Sequence, residues 1–453
     1  MVIKKYDKVN KFKAYFDTET GNYMRTGVLE NGVDTNEDPF MTSYPELIDV
    51  GVMGHCVHGK SGLCIKSGVQ CYQNGLGVTE PNMSLEDFKK IVDESKGRTF
   101  QLALGGRGDV DEHENFEEML AYCRENNIVP NFTTSGLGMT KEKADICKRY
   151  CGAVAVSMYS RLEPVPMIAM RKCEKGEKPK VYKNEDAIPV KFTFGDFFDN
   201  CRFDGPHYII NGKEYDWLEY HHLDESDLNG RFVLFKVYDE EHRQVNYTFK
   251  AIKYLLDAGV KTNIHYVLGK NTIDEAIIRL RNNGFPKGIN AVIFLMHKPV
   301  GLGSSDNVLN IEDEKVKEFF ELIDSRKFPF KIGFDSCSVP AILNKTKSIM
   351  HESIDTCEGG RWSAYITSDM KMLPCSFDNQ EQRWAYDLKG SNIESAWQSE
   401  QFEDFRAHFK KSCSKCKDRK FCMGGCPIRR EIVMCDRKSK HLYESNYGKG
   451  ENK

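Results

Sequence analysis

Residues 413–435 read CSKCKDRKFCMGGCPIRREIVMC, which places Cys413, Cys416, Cys422 and Cys426 in the spacing C-x2-C-x5-C-x3-C, with Cys435 following. Thiols this close in sequence point to a centre that binds sulfur. Gly424 and Gly425 let the backbone approach such a centre closely, and Pro427 ends the loop. Four thiolates suit a tetrahedral sulfur site, either zinc or iron–sulfur, and a structural zinc ribbon satisfies the spacing as well. The chain holds 16 cysteines in 453 residues. A secreted disulfide scaffold with so many is usually far shorter, whereas clustered thiols in a reducing compartment more often bind metal. The opening MVIKKYDKVNKFKAYF is basic but has no apolar core segment of a signal peptide, so a cytoplasmic location is expected.

A second group lies far upstream. Cys56, Cys64 and Cys71 occupy the Gly-rich loop HCVHGKSGLCIKSGVQCYQNG, directly after the apolar run PELIDVGVMG. Three thiolates around a cubane leave one iron open, and an open coordination position is where chemistry occurs, as it is in catalytic zinc sites. Tyr72 follows the last thiol and is placed to shield it. A third, looser group comprises Cys337, Cys357 and Cys375. The five remaining cysteines, Cys123, Cys147, Cys151, Cys173 and Cys201, read as core residues.

Between the thiol groups, apolar runs alternate with amphipathic helix patterns. SLEDFKKIVDES opens on a serine cap with acids in its first turn. The strand–helix alternation continues through FQLALGG, EEMLAYCREN, IVPNFTTSG, KEKADICKRY and AVAVSMYS. It resumes with YTFKAIKYLLDAG, KTNIHYVLG, IDEAIIRLRNNG, AVIFLMHKP, KVKEFFELIDSR and FKIGFDSC. Such alternation predicts βα units on a parallel sheet, and right-handed crossovers curl six of them into a partial (β/α)6 barrel of the α/β class. Length and composition agree. A chain of this size holds two to four units on a prior of about 150 residues each. It is 40% hydrophobic and 11% aromatic, enough for large cores. A net charge of −3, from 64 basic and 67 acidic residues, argues against a dedicated nucleic-acid binder. No apolar run approaches the ~20 residues a membrane helix needs.

The C-terminal spacing together with the upstream loop resembles the radical S-adenosylmethionine enzymes that carry a C-terminal SPASM domain. The C-x2-C-x5-C-x3-C half matches without a gap and Cys435 is the final cysteine. Two departures stand out. Cys357 and Cys375 have seventeen residues between them with no glycine at the usual place, and the first loop is C-x7-C-x6-C where the family has C-x3-C-x2-C. The resemblance spans roughly residues 45–440. It implies an N-terminal extension (1–45), a barrel (46–335), an auxiliary-cluster domain (336–440) and a tail (441–453).

The resemblance implies S-adenosylmethionine and three 4Fe–4S clusters. Cys56, Cys64 and Cys71 would ligate the one that binds S-adenosylmethionine. Cys413, Cys416, Cys422 and Cys435 would hold the distal auxiliary cluster. Cys357, Cys375 and Cys426 would hold the nearer one, with Cys337 as candidate fourth ligand. It further implies a small cysteine-rich domain after the barrel, with chemistry at the C-terminal ends of the strands. There Gly105, Gly106 and Asp109 would line the methionyl amine. Thr134, Ser135 and Ser157, with Thr133, would hold the ribose or the methionyl carboxylate. Tyr266, with His265, and His297 with Lys298 would be candidates to touch cofactor or substrate.

The connection from about 172 to 243 is too long for an ordinary loop and carries a hairpin signal at Asn211-Gly212, so a β-rich insertion is expected beside the barrel mouth. The first 45 residues are too short for the winged-helix peptide-recognition module of many relatives. Leader recognition would fall to the insertion or to a separate leader-peptide-binding protein. The expected substrate is a peptide or protein, modified oxidatively by cross-linking, thioether formation or a related reaction, with an external flavodoxin- or ferredoxin-like electron donor. Radical oxidation of a small molecule such as a sugar, and a non-catalytic metal scaffold, are the alternatives.

Overall fold

The computed structural model describes residues 1–59, 63–66, 68–159, 247–349, 354–411, 413, 416, 418–429, 432, 434 and 435. It also describes, as backbone alone, 162–163, 167–172, 202–204, 207–210, 213–216, 232–237 and 245–246. The chain opens with an antiparallel sheet of β1 (Val2–Asp7), β2 (Phe12–Asp17) and β3 (Tyr23–Arg25), followed by a short hairpin of β4 (Leu29–Glu30) and β5 (Val33–Asp34). The barrel strands are β6 (Leu47–Met53), β7 (Gln101–Gly106), β8 (Val129–Thr134) and β9 (Val154–Ser157).

The long connection contributes β10 (Leu162–Glu163), β11 (Met167–Lys172), β12 (Arg202–Asp204), β13 (His207–Ile210), β14 (Lys213–Asp216), β15 (Phe232–Val237) and β16 (Val245–Asn246). They pair as β10 with β16, β11 with β15, and β12-β13-β14, all antiparallel. The β-structure thus begins before residue 172. The Asn211-Gly212 turn, Cys173, Cys201, the insertion's side chains and the tail 441–453 lie outside the described residues.

The barrel resumes with β17 (Thr262–Leu268), β18 (Ala291–Met296) and β19 (Lys331–Phe334), and the C-terminal region adds β20 (Ser363–Ile366), β21 (Lys371–Leu373) and β22 (Tyr386–Asp387). One ten-stranded sheet results, in the order β19-β18-β17-β9-β8-β7-β6-β20-β21-β22. Strands β19 to β6 are parallel, as the βα alternation predicts, and the curled sheet is not closed on itself. Beyond that expectation, β20 pairs in parallel with β6, Ser363 opposite Leu47 and Tyr365 opposite Asp49. The C-terminal domain therefore continues the barrel wall.

Side-chain alternation defines two faces. On β8 and β17 every second residue, among them Phe132, Ile264, Tyr266 and Leu268, packs into the helix-side core. The intervening positions are half-buried: polar at Asp49, Gln101, Asn131, Thr133, Asn263 and His265, and apolar at Val267, Ile293 and Leu295. The lumen is therefore polar along much of its wall, unlike the apolar stacked layers of a closed (β/α)8 barrel. Its floor is covered by the N-terminal sheet. Phe12 and Phe16, both fully buried, pack on Phe100, Val129 and Trp362 at the N-terminal ends of the strands. Among the described residues no helix is long and apolar enough to cross a membrane.

Candidate active site

The first thiol loop leaves β6 at the open, C-terminal end of the barrel. Cys56, Cys64 and Cys71 face one another and Asp109. Burial, opposed by an N–H bond from the His58 backbone, pushes the Cys56 thiol up to about 11. Cys64 sits in a single helical turn, Leu63–Lys66. Asp109 accepts from the Ser135 backbone N–H at 2.8 Å and from its hydroxyl, so two predicted binding residues from neighbouring strand ends meet. Gly105, next to last in β7, has nothing within 4 Å of where a Cβ would stand, which leaves room at this end of the lumen. Gly106 turns back over Met53. Ser157 ends β9 opposite His265.

Other predicted residues are placed differently. Thr134 is fully buried, and its hydroxyl accepts from Gly136 N–H at 2.9 Å, the turn-capping role. Thr133, its neighbour, faces the lumen and bonds to His265 Nδ1 at 3.3 Å. Tyr266 points away from the lumen. Its hydroxyl donates to the Thr272 carbonyl at 3.0 Å and its ring packs on Phe285 and Phe294, so a contact with substrate or cofactor is not what this side chain makes.

His297 and Lys298 begin a strap, residues 297–304, that braces the thiol loop. His297 Nε2 bonds the Ser304 carbonyl at 2.9 Å. Leu302 N–H donates to the Cys71 carbonyl at 2.9 Å, and Ser304 N–H to Gln70 Oε1 at 2.9 Å. Gly301 has φ of 62°, and a Cβ there would stand 2.4 Å from the Tyr72 carbonyl oxygen, so only glycine suits this contact.

A second set of thiols lies beside the first. Cys337 and Cys426 are hydrogen-bonded to each other, and Cys357 and Cys375 face Cys337. Tyr72 packs on Phe377 with ring centroids 5.2 Å apart, and Asn379 Nδ2 donates to Gln73 Oε1 at 3.0 Å. These contacts join the turn after Cys375 to the first loop. A third set follows, in which Cys413 faces Cys416 and Cys435, and Cys422 faces Cys413 and Cys435. Met423, Gly424 and Gly425 in succession have positive φ, which aims the Gly424 and Gly425 N–H groups at Cys422.

Backbone N–H groups recur at the sulfurs: Gly359 at Cys357, Phe377 at Cys375, and Arg429 at Cys426 at 3.3 Å. Burial raises Cys357 and Cys422 to about 12 and 11. Thiols so enclosed ionise only beside a cationic centre, and N–H donors aimed at sulfur are what an iron–sulfur cluster uses. The three thiol sets fit such groups. Among the described residues, no group of three or more Cys, His, Asp or Glu is drawn together to hold a single metal ion.

Sequence reasoning missed Asp49, Gln73, Tyr365, Phe377 and Asp335. Asp49 had a signal, a lone acid at an alternate position of the apolar run LIDVGVM. It faces the lumen opposite Tyr365, and burial raises its carboxyl to about 7. The others depend on contacts between distant segments.

Residues 357–418, containing Cys357, Cys375, Cys413 and Cys416, match SPASM, an iron–sulfur cluster-binding domain. The chain thus joins an open, parallel-stranded partial barrel to a match for an iron–sulfur cluster-binding domain. No curated protein matches the sequence. Among solved structures, the chain is similar to Streptococcus suis SuiB bound to S-adenosylmethionine, at 13% identity and a TM-score of 0.52, over 88% of this chain and 77% of that one. It is also similar to SuiB bound to the precursor peptide SuiA, at 12% identity and a TM-score of 0.56, over 94% of both chains. At these identities the likeness is one of fold.

Proposed function

We propose that this protein is a radical S-adenosylmethionine enzyme acting on a peptide or protein. The observation that carries the reading is the meeting of Cys56, Cys64, Cys71 and Asp109 at the open end of the lumen. The three thiols would hold a 4Fe–4S cluster. Bound there, cluster and S-adenosylmethionine together supply a 5′-deoxyadenosyl radical able to take hydrogen from an unactivated carbon.

The chain's own residues do the rest. Asp109, held by two bonds from Ser135, presents a carboxylate suited to the methionyl ammonium. Thr133 and His265 offer polar atoms deeper in the lumen. The phenylalanines of the N-terminal sheet seal the floor against water, which protects a radical from side reactions. Cys337, Cys357, Cys375 and Cys426 would hold the nearer auxiliary cluster, and Cys413, Cys416, Cys422 and Cys435 the distal one. Two such clusters beside the lumen favour net oxidation of the substrate, as in cross-link or thioether formation, with an external flavodoxin- or ferredoxin-like donor. A peptide substrate is supported by the likeness in fold to SuiB, which has been crystallised with its precursor peptide. Recognition of a leader would use the insertion or a separate protein.

The test is anaerobic reconstitution, reduction and mass spectrometry for 5′-deoxyadenosine. The wild type is expected to form it, and the Cys56→Ala, Cys64→Ala, Cys71→Ala variant to form none. A fully loaded wild type that forms none would sink the reading.

A further inference from the structure

Lys298 sits where the sequence places a residue for substrate, yet its surroundings give it another task. It is 6% exposed. Its Nζ donates to the Met296 carbonyl at 2.8 Å and to the Asp335 carboxylate, and lies 4.7 Å over the Phe377 ring. Asp335 caps the turn Ser336–Ser338, which carries Cys337. Phe377 lies in the turn Ser376–Asp378, which Cys375 caps. One ammonium is therefore clamped between the two turns that deliver Cys337 and Cys375, and it faces Cys426 as well.

Asp335 is itself fixed, accepting from Ser338 Oγ at 2.7 Å and from Met296 N–H at 3.1 Å. The ammonium is held by the Met296 carbonyl and paired with the Asp335 carboxylate, so its charge is fixed in place. A mobile surface lysine would contribute little, whereas a fixed, desolvated charge acts through a low dielectric.

We propose that Lys298 is a positioning residue that sets the reduction potential of the nearer auxiliary cluster, its fixed positive charge favouring the state that has gained one electron. The proposal rests on the reading of Cys337, Cys357, Cys375 and Cys426 as ligands. Net charge beside a cluster is one of the levers on its potential. A positive charge stabilises the more negative, reduced form and raises the midpoint. Asp335 partly cancels that charge and lowers it.

The test is a redox titration of the reconstituted full-length protein, followed by electron paramagnetic resonance, with iron and sulfide counted first. Lys298→Met should lower the midpoint of the nearer cluster, Lys298→Arg should leave it near the wild-type value, and Asp335→Asn should raise it. The distal cluster should stay put in all three. A purely structural ion pair would not move Lys298→Met and Asp335→Asn in opposite directions. If Lys298→Met does not load, Asp335→Asn carries the test alone. Unchanged midpoints in loaded protein, or all clusters shifting together, overturn the role of Lys298 while leaving the ligand assignment standing. A wild type whose iron count does not fall in Cys357→Ala with Cys375→Ala overturns that assignment, and the proposal with it.

Discussion

His265 and Tyr266 are adjacent on β17 and live in different solvents. Tyr266 packs on Phe285 and Phe294 in the core between sheet and helices, while His265 looks into the lumen toward Thr133. Burial lowers the His265 imidazole from 6.5 to about 4, against a smaller opposing effect of Asp335. The folded chain thus keeps this ring neutral where the unfolded chain would protonate it. The resulting stability is present above pH 6.5 and is lost as pH falls from there toward 4, with no further loss below. The full loss is on the order of 3 kcal/mol. Denaturant midpoints of the metal-free protein at pH 7 and pH 4.5 should therefore differ more for the wild type than for His265→Gln. Equal differences would show that the ring is hydrated in the folded state.

Among the elements, the strap after β18 matters most to the site. It ties the first loop to the barrel through the Leu302 N–H on the Cys71 carbonyl, the Ser304 N–H on the Gln70 side chain and the close approach of Gly301 to Tyr72. Gly301→Ala meets both a left-handed backbone and the Tyr72 carbonyl. Strain of this kind costs about 1–3 kcal/mol, and the strap should relieve it by lifting off the first loop. Iron analysis with Mössbauer spectroscopy should find the first cluster depleted in Gly301→Ala and the distal cluster retained. Equal retention of both would mean the loop holds its thiols without the strap.

At the scale of the molecule, the barrel and the cysteine-rich domain are one folding problem. β20 lies against β6, which would otherwise be an open sheet edge. Trp397, fully buried, donates to the Thr42 carbonyl at 2.9 Å, and Lys90 donates to the Leu388 carbonyl at 2.7 Å. Glu94 receives the Ile393 N–H at 2.8 Å. Trp362, Trp384 and Trp397 all belong to the C-terminal region, so tryptophan fluorescence reports mainly on it, while far-ultraviolet circular dichroism reports chiefly on the barrel. Their urea transitions should coincide. Two separated transitions would show that the C-terminal domain unfolds on its own.

The sequence by itself determined the local parts. Strand–helix alternation set the parallel barrel, because the period of apolar residues decides which backbone can bury them. Cysteine spacing set the C-terminal domain, since short loops force their thiols together. Even the odd separation of Cys357 and Cys375 is absorbed, because β20 and β21 form the antiparallel arm between them and bring its ends back together. Orientation and long-range pairing were decided by the tertiary structure. Periodicity marks that His265 and Tyr266 face opposite sides, but which side becomes lumen depends on how the whole sheet curls. The floor built by Phe12 and Phe16, the wall strand β20, and the clamp of Lys298 between Asp335 and Phe377 all join segments tens to hundreds of residues apart. Such contacts leave no local periodicity. They form because closing those long loops is offset by apolar burial and by the hydrogen bonding of buried polar groups, terms that exist only once the chain has folded.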